Sequence, residues 1–175
     1  REPSYWAGLL DEASGKMIEE ALERGDVKIL KDSEAREVVG VDKIEKLVLK
    51  NGMEIRCDAV IVGIGVSCPF AWISQAGIDV NRGIIANEYL ETNVPDIWTA
   101  GDAAEFSDLV LDERIQLGNW VNAQMQGKRA GLNMAASFDK LRAGREPFRL
   151  VSFYTTQGFG ITIAFVGDVR PLQDR

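Results

Sequence analysis

Thr92-Asn93-Val94-Pro95-Asp96-Ile97-Trp98-Thr99-Ala100-Gly101-Asp102 is the stretch that decides how this chain is read. A polar turn leads into four residues, Ile97 to Ala100, that read as a short buried strand. The strand ends on Gly101, and Asp102 follows at once. A carboxylate at the carboxyl end of a strand can accept hydrogen bonds from sugar-like hydroxyls. The missing side chain of Gly101 lets a ligand approach the backbone closely. Some fifteen residues on, Gly118 to Met134 reads as a helix, the longest of the chain, over about residues 119–137. A strand, an acidic tip and a helix make half of a cofactor site.

Working outward, the 175 residues suffice for one domain or for parts of two or three. Hydrophobic residues are 46% and charged residues 27%, a balance expected of an ordered chain. The net charge of −7 provides no basic field, so neither nucleic acid nor an anionic membrane is expected as a partner. The absence of histidine removes the usual zinc site and any Ser-His or Cys-His catalytic pair. Cys57 and Cys68 have no close CxxC partner; two cysteines could form one disulfide, but nothing implies an oxidised compartment, and they read as semi-buried thiols. No apolar run reaches 18 residues and no signal peptide is visible, so a cytoplasmic protein without a membrane span is expected. The chain starts at Arg1 rather than Met, which suggests a fragment or a processed product.

Residues 12–24 read as an amphipathic helix with Ala21 and Met17 on one face, Ile18 and Leu22 extending it, and Gly25 as a stop. Residues 27–30 read as a short strand. Residues 35–39, 43–49 and 54–57 form a β-meander, with Asn51-Gly52 as a hairpin turn. Asp58-Ala-Val-Ile-Val-Gly-Ile-Gly65 differs. Its consecutive apolar residues predict a strand buried on both faces, as in a parallel sheet. Gly63 and Gly65 at its end would permit close backbone approach, although no third glycine and no following helix complete a dinucleotide fingerprint. Residues 70–76 read as a short helix, 77–80 and 83–86 as small strands around an Asn81-Arg82-Gly83 turn, and 103–117 as a loop or hairpin. Ala123, Gly127, Ala130 and Gly131 are spaced for close packing of the long helix against a neighbouring backbone or a cofactor, since helical glycine disfavours the helix by about 1 kcal/mol against alanine. Residues 139–147 read as a charged linker. Phe148 to Tyr154 and Ile161 to Val166 would be strands joined through Thr155-Thr-Gln-Gly158.

These segments resemble the pyridine nucleotide-disulfide oxidoreductase superfamily of two-dinucleotide flavoproteins, in its ferredoxin reductase-like and apoptosis-inducing-factor-like branch. Three stretches carry the resemblance: Asp58 to Val66 with its preceding hairpin, Gly83 to Asp102, and Gly118 to Gly131. Their order and spacing cover nearly the whole chain. The resemblance implies an α/β fold made of portions of two Rossmann-like, three-layer dinucleotide-binding domains with a β-meander, plus the start of an α+β C-terminal interface domain. Residues 1–66 would be the latter part of an NAD(P)H-binding domain and 67–145 the latter part of an FAD-binding domain. Residues 147–175 would begin the interface domain, with Phe153 and Tyr154 on the flavin side.

The resemblance further implies FAD and NAD(P)H as cofactors. Asp102 would bind the ribityl chain of FAD, with Gly101 permitting close approach. Asn119 and Trp120 would line the isoalloxazine environment at the positive end of the helix, which favours negative charge on the reduced ring. Gly63 and Gly65 would lie on the cofactor-binding side of the buried strand. No residue is required as a general base, and no metal ligand is expected. Both Gly-rich fingerprints of the family are absent, which places the adenine-binding halves upstream of Arg1 and makes activity of this chain alone unexpected. The family's redox dithiol is also absent. Electrons are therefore expected to pass to an iron–sulfur protein, a quinone or oxygen, with a small electron-transfer protein as partner and a homodimer as an assembly. Two alternatives stay open: a non-catalytic α/β module that complements a separate upstream chain, and a complete small α/β domain of unrelated activity.

Overall fold

A computed structural model describes residues 5–7, 9–138 and 144–168. These divide into two units. The first runs to Val66 and includes Gln157–Thr162; the second comprises Ser67–Thr156 and Ile163–Asp168.

In the first unit, helix α1 spans Glu12–Arg24 and is capped by Asp11, whose carboxylate accepts from the Ser14 amide at 2.7 Å. Gly25 ends it. Ala21 is buried as expected, but Met17 is 65% exposed. Strands β1 (Ala35–Val39), β2 (Lys46–Leu49) and β3 (Glu54–Arg56) form an antiparallel meander in that order. Val38 pairs with Leu47 and Leu47 with Ile55. The Asn51-Gly52 turn joins β2 and β3, and Asn51 Oδ1 accepts from the Met53 amide at 3.0 Å. Residues 27–30 form no strand; the Val27 amide instead donates back to the Leu22 carbonyl at 3.0 Å, at the end of α1.

Two of the buried strands read from sequence are corrected. Residues 58–65 form no strand, and Ile61 is 97% and Ile64 90% exposed. A strand buried on both faces needs sheet neighbours along its edges and layers above and below. The described residues supply neither. Residues 97–100 likewise make only an isolated bridge, from Trp98 to Glu91.

The second unit contains helix α2 (Ala71–Gln75), strands β4 (Ile84–Ala86), β5 (Ala104–Asp108) and β6 (Glu113–Gln116), and helix α3 (Trp120–Phe138). β4 pairs parallel with β5, and β5 antiparallel with β6, so the hairpin expected within residues 103–117 is present. This mixed sheet with its helices is an α/β fold of the kind found in Rossmann-like domains. Ala86, Leu90, Phe106, Ile115, Ala130 and Phe148 are its buried core. Phe106 and Phe148 meet edge to face at 5.5 Å. The expectation of close packing along α3 holds only in part. A Cβ added at Gly127 or Gly131 would meet nothing within 4 Å.

The final hairpin is formed by β7 (Phe153–Gly158) and β8 (Ile161–Val166). Its turn is Phe159-Gly160, not Thr155–Gly158. Both turn residues have positive φ, 51° and 74°, as a two-residue turn of the right-twisting kind requires. Residues 148–152 are not a strand. Phe148 is instead anchored in the core, and its amide donates to the Glu88 carbonyl at 2.7 Å.

Candidate functional site

The Thr92–Asp102 stretch is built from the turn outward. Thr92 Oγ1 accepts from the Val94 amide at 3.2 Å, and the Thr92 amide donates to the Ile97 carbonyl at 2.8 Å. Asp96 takes a left-handed φ of 65° to close the turn. The chain then runs extended, with the Thr99 amide donating to the Leu90 carbonyl at 3.0 Å. At Gly101 it swings into a short 3-10 turn, Gly101–Ala103, at a φ of 77°. A Cβ added at Gly101 would make only an ordinary contact with Ala123 Cβ, at 3.4 Å, so it is the backbone conformation that glycine answers.

β5 starts immediately after this turn, and its second residue fixes the pairing. Glu105 is 2% exposed. Its carboxylate accepts from Asn81 Nδ2 and from the Gly83 amide, each at 3.0 Å. Burial pushes the Glu105 carboxyl up, but the donors of Asn81, Gly83 and Arg82 outweigh it and hold the group below its ordinary value. This ties the start of β4 to β5 directly behind the Gly101–Asp102 turn. The backbone of Gly83 lies so close that an added Cβ would stand 2.7 Å from the Ala103 carbonyl oxygen.

Asn119 caps α3. Its Oδ1 accepts from the Asn122 amide at 2.8 Å, and its Nδ2 donates to Ser152 Oγ at 3.0 Å. The first residues of the helix, Trp120 and Val121, have no intrahelical acceptor for their amides, which gives that end a partial positive charge. Asp102, Asn119, Trp120, Ala123 and Gln124 line an open cleft of about 490 Å³. The structure therefore brings together three of the site residues read from sequence, Asp102, Asn119 and Trp120, with Gly101 in the turn that presents Asp102. Trp120 is 85% exposed and offers a flat apolar surface at the mouth. Gly63 and Gly65 lie in the other unit and do not line this cleft; a Cβ at either would meet nothing within 4 Å. Tyr154 stacks on Phe165 at 4.5 Å, while Phe153 is exposed. Cys57 is half-buried, Cys68 is exposed, and both are free thiols.

Sequence reasoning missed three residues that hold this site: Glu105, Gln116 and Gln126. Gln126 Oε1 accepts from the Gly101 amide at 2.7 Å, and Gln116 Nε2 donates to the Asp102 carbonyl at 2.6 Å. A signal existed on α3. Asn122, Gln126 and Asn133 recur at helical spacing and are all fully buried. A polar stripe on an inward face needs specific partners.

Residues 4–127 match the pyridine nucleotide-disulphide oxidoreductase family. The chain belongs to that family. Apoptosis-inducing factor 3 of Homo sapiens is 30% identical over 170 residues, covering 95% of this chain and 27% of that protein. A nitrite reductase of Bacillus subtilis strain 168, which uses NAD(P)H, is 35% identical over 96 residues, covering 55% of this chain and 12% of that protein. Putidaredoxin reductase, solved in covalent complex with putidaredoxin, superposes with a TM-score of 0.80 at 22% identity, over 94% of this chain and 39% of that one. A ferredoxin reductase from Rhodopseudomonas palustris gives 0.79 at 23% identity over the same shares, 94% and 39%. At such identities the structures speak for the fold. The chain thus spans well under half the length of each of these relatives.

The family is one of FAD- and NAD(P)H-linked oxidoreductases. Among the described residues, none donates a hydrogen bond to the Asp102 carboxylate, which is exposed at the cleft. Its four lone-pair sites are open to a polyol. No helix among the described residues is long and apolar enough to cross a membrane.

Proposed function

We propose that this chain is part of an FAD-dependent NAD(P)H oxidoreductase, in which hydride passes from the nicotinamide to the flavin and the electrons go on to an iron–sulfur protein, a quinone or oxygen. The observation that carries this is the unpartnered Asp102 carboxylate, set beside the capped first turn of α3 in an open cleft. Asp102 accepts hydrogen bonds from ribityl hydroxyls. Gly101 lets the ligand chain pass close to the backbone. Asn119 fixes the start of α3, so that its free amides face the electron-rich edge of the ring system, and Trp120 shields that edge from water. Gly63 and Gly65 serve the cofactor side of the nucleotide-binding portion.

In this reading residues 1–66 belong to the NAD(P)H domain, 67–145 to the FAD domain and 147–175 to the interface domain. The chain alone is inactive, and the working protein is cytoplasmic. The solved complex of putidaredoxin reductase with putidaredoxin favours a small electron-transfer protein as acceptor. One observation favours a second reading, in which the chain complements a separate polypeptide: the apolar residues Ile61, Val62, Ile64 and Val66 stand in water.

The test is anaerobic mixing of the complete purified protein with NADH and with NADPH. Bleaching of the visible flavin absorption by either is the expected result. Absence of flavin, or flavin that neither nucleotide reduces, overturns the first reading. A second polypeptide that co-purifies and supplies the flavin site supports the other.

A further inference from the structure

We propose that Gln126 and Gln116 are positioning residues that hold the Gly101–Asp102 turn from its two sides and thereby aim the Asp102 carboxylate. The inference rests on Asp102 being a flavin-contacting group. Gln126, on α3, is fully buried and accepts from the Gly101 amide at 2.7 Å. Gln116, the last residue of β6, donates to the Asp102 carbonyl at 2.6 Å. One bond fixes the peptide that enters the turn and the other fixes the peptide that leaves Asp102. The turn needs such restraint, because glycine at a φ of 77° does not itself confine the backbone.

The chemistry of Gln126 argues that this bond is its purpose. Accepting from Gly101 fixes the orientation of its amide, and its Nε2 is then buried without a partner. Leaving a buried donor unsatisfied is unfavourable. A leucine would fill the space without that penalty, so what glutamine adds at this position is the acceptor for Gly101. Asn122, one turn earlier, behaves alike. Its Nδ2 donates to the Leu117 carbonyl at 2.9 Å, and its Oδ1 is left unpaired. Thus α3 grips both the segment bearing Asp102 and the approach to its own cap.

The test is FAD titration of the flavin-stripped complete protein, followed by quenching of flavin fluorescence. Gln126→Met should weaken FAD binding about tenfold, the worth of one well-made hydrogen bond. In an Asp102→Ala background Gln126→Met should change FAD affinity less than about twofold, because its effect runs through Asp102. A merely structural role would weaken binding equally in both backgrounds, and that result overturns the proposal. So does an unchanged affinity for Gln126→Met. Gln116→Met, on the half-buried end of β6, carries the same test from the other side if Gln126→Met does not fold. Unchanged FAD affinity in Asp102→Ala alone would instead overturn the role of Asp102 on which the proposal stands.

Discussion

Replacing Glu105 with alanine should destabilise the second unit by about 2–4 kcal/mol, and the structure shows why. The carboxylate is 2% exposed and receives two hydrogen bonds at 3.0 Å, from the Asn81 side chain and the Gly83 amide. A hydrogen bond to a charged group contributes roughly 1.5–3 kcal/mol. Asn81 is exposed and can turn to water, but the Gly83 amide is buried and would be left unsatisfied. For a chain of this size the loss corresponds to roughly 5–15 °C in the unfolding midpoint. Glu105→Gln preserves the volume and loses only the charge and one acceptor, so its effect should be smaller.

The pH dependence follows from the same contacts. The folded-state pKa of Glu105 is held below the ordinary 4.5, so its contribution is fully present above that value. It disappears as pH falls through the lower folded value. Wild-type stability should therefore fall more steeply on acidification below about pH 4.5 than that of Glu105→Gln. Urea unfolding followed by far-ultraviolet circular dichroism, at neutral and acid pH, measures both effects. A Glu105→Ala protein within about 0.5 kcal/mol of the wild type, or parallel acid profiles for wild type and Glu105→Gln, would refute the reasoning.

Two further perturbations probe the frame around the cleft. Gly101→Ala forces a side chain into a left-handed conformation, and should destabilise by about 1–2 kcal/mol in thermal unfolding while also weakening flavin retention. A stability equal to wild type would contradict the assigned backbone. Asn133→Ala removes donors to the Tyr89 and Glu146 carbonyls, at 2.9 and 3.0 Å, and an acceptor for the Glu146 amide, at 3.0 Å. A loss of about 2–4 kcal/mol is expected by denaturant titration, and a loss under about 0.5 kcal/mol would mean that these contacts do not hold residues 144–148 against α3.

What was legible in the sequence depended on whether the signal was local. Helix α1 carries its stop in Gly25, and the meander carries its turn in Asn51-Gly52; both were found where they were read. The Gly101–Asp102 tip and the helix after it were legible because a glycine, an acid and a helix start are themselves local signals. Residues 58–65 were misread because an apolar run reports only a preference for burial, whereas a strand also needs neighbours. The last turn was misplaced because Gly158 and Gly160 are equally good turn residues on composition, and only pairing across the hairpin selects Phe159-Gly160. α3 shows the limit best. Its Met125, Leu132 and Met134 are substantially exposed, while Asn122, Gln126 and Asn133 are fully buried. A hydrophobic stripe would have pointed the helix the wrong way, and the hydrogen bonds to Gly101, Leu117, Tyr89 and Glu146 explain the inversion.

The central claim is that Asp102 presents its carboxylate to a flavin. The most direct measurement compares FAD affinity of the flavin-stripped wild-type protein and of Asp102→Ala by fluorescence titration, with thermal unfolding of the flavin-free forms beside it. Asp102 is exposed and its carboxylate has no donor among the described residues, so unfolding of the flavin-free variant should match the wild type. Loss of a charge-assisted hydrogen bond should weaken FAD binding roughly 10- to 150-fold. Equal FAD affinity in the two proteins, or no FAD binding by the wild type, would contradict the account.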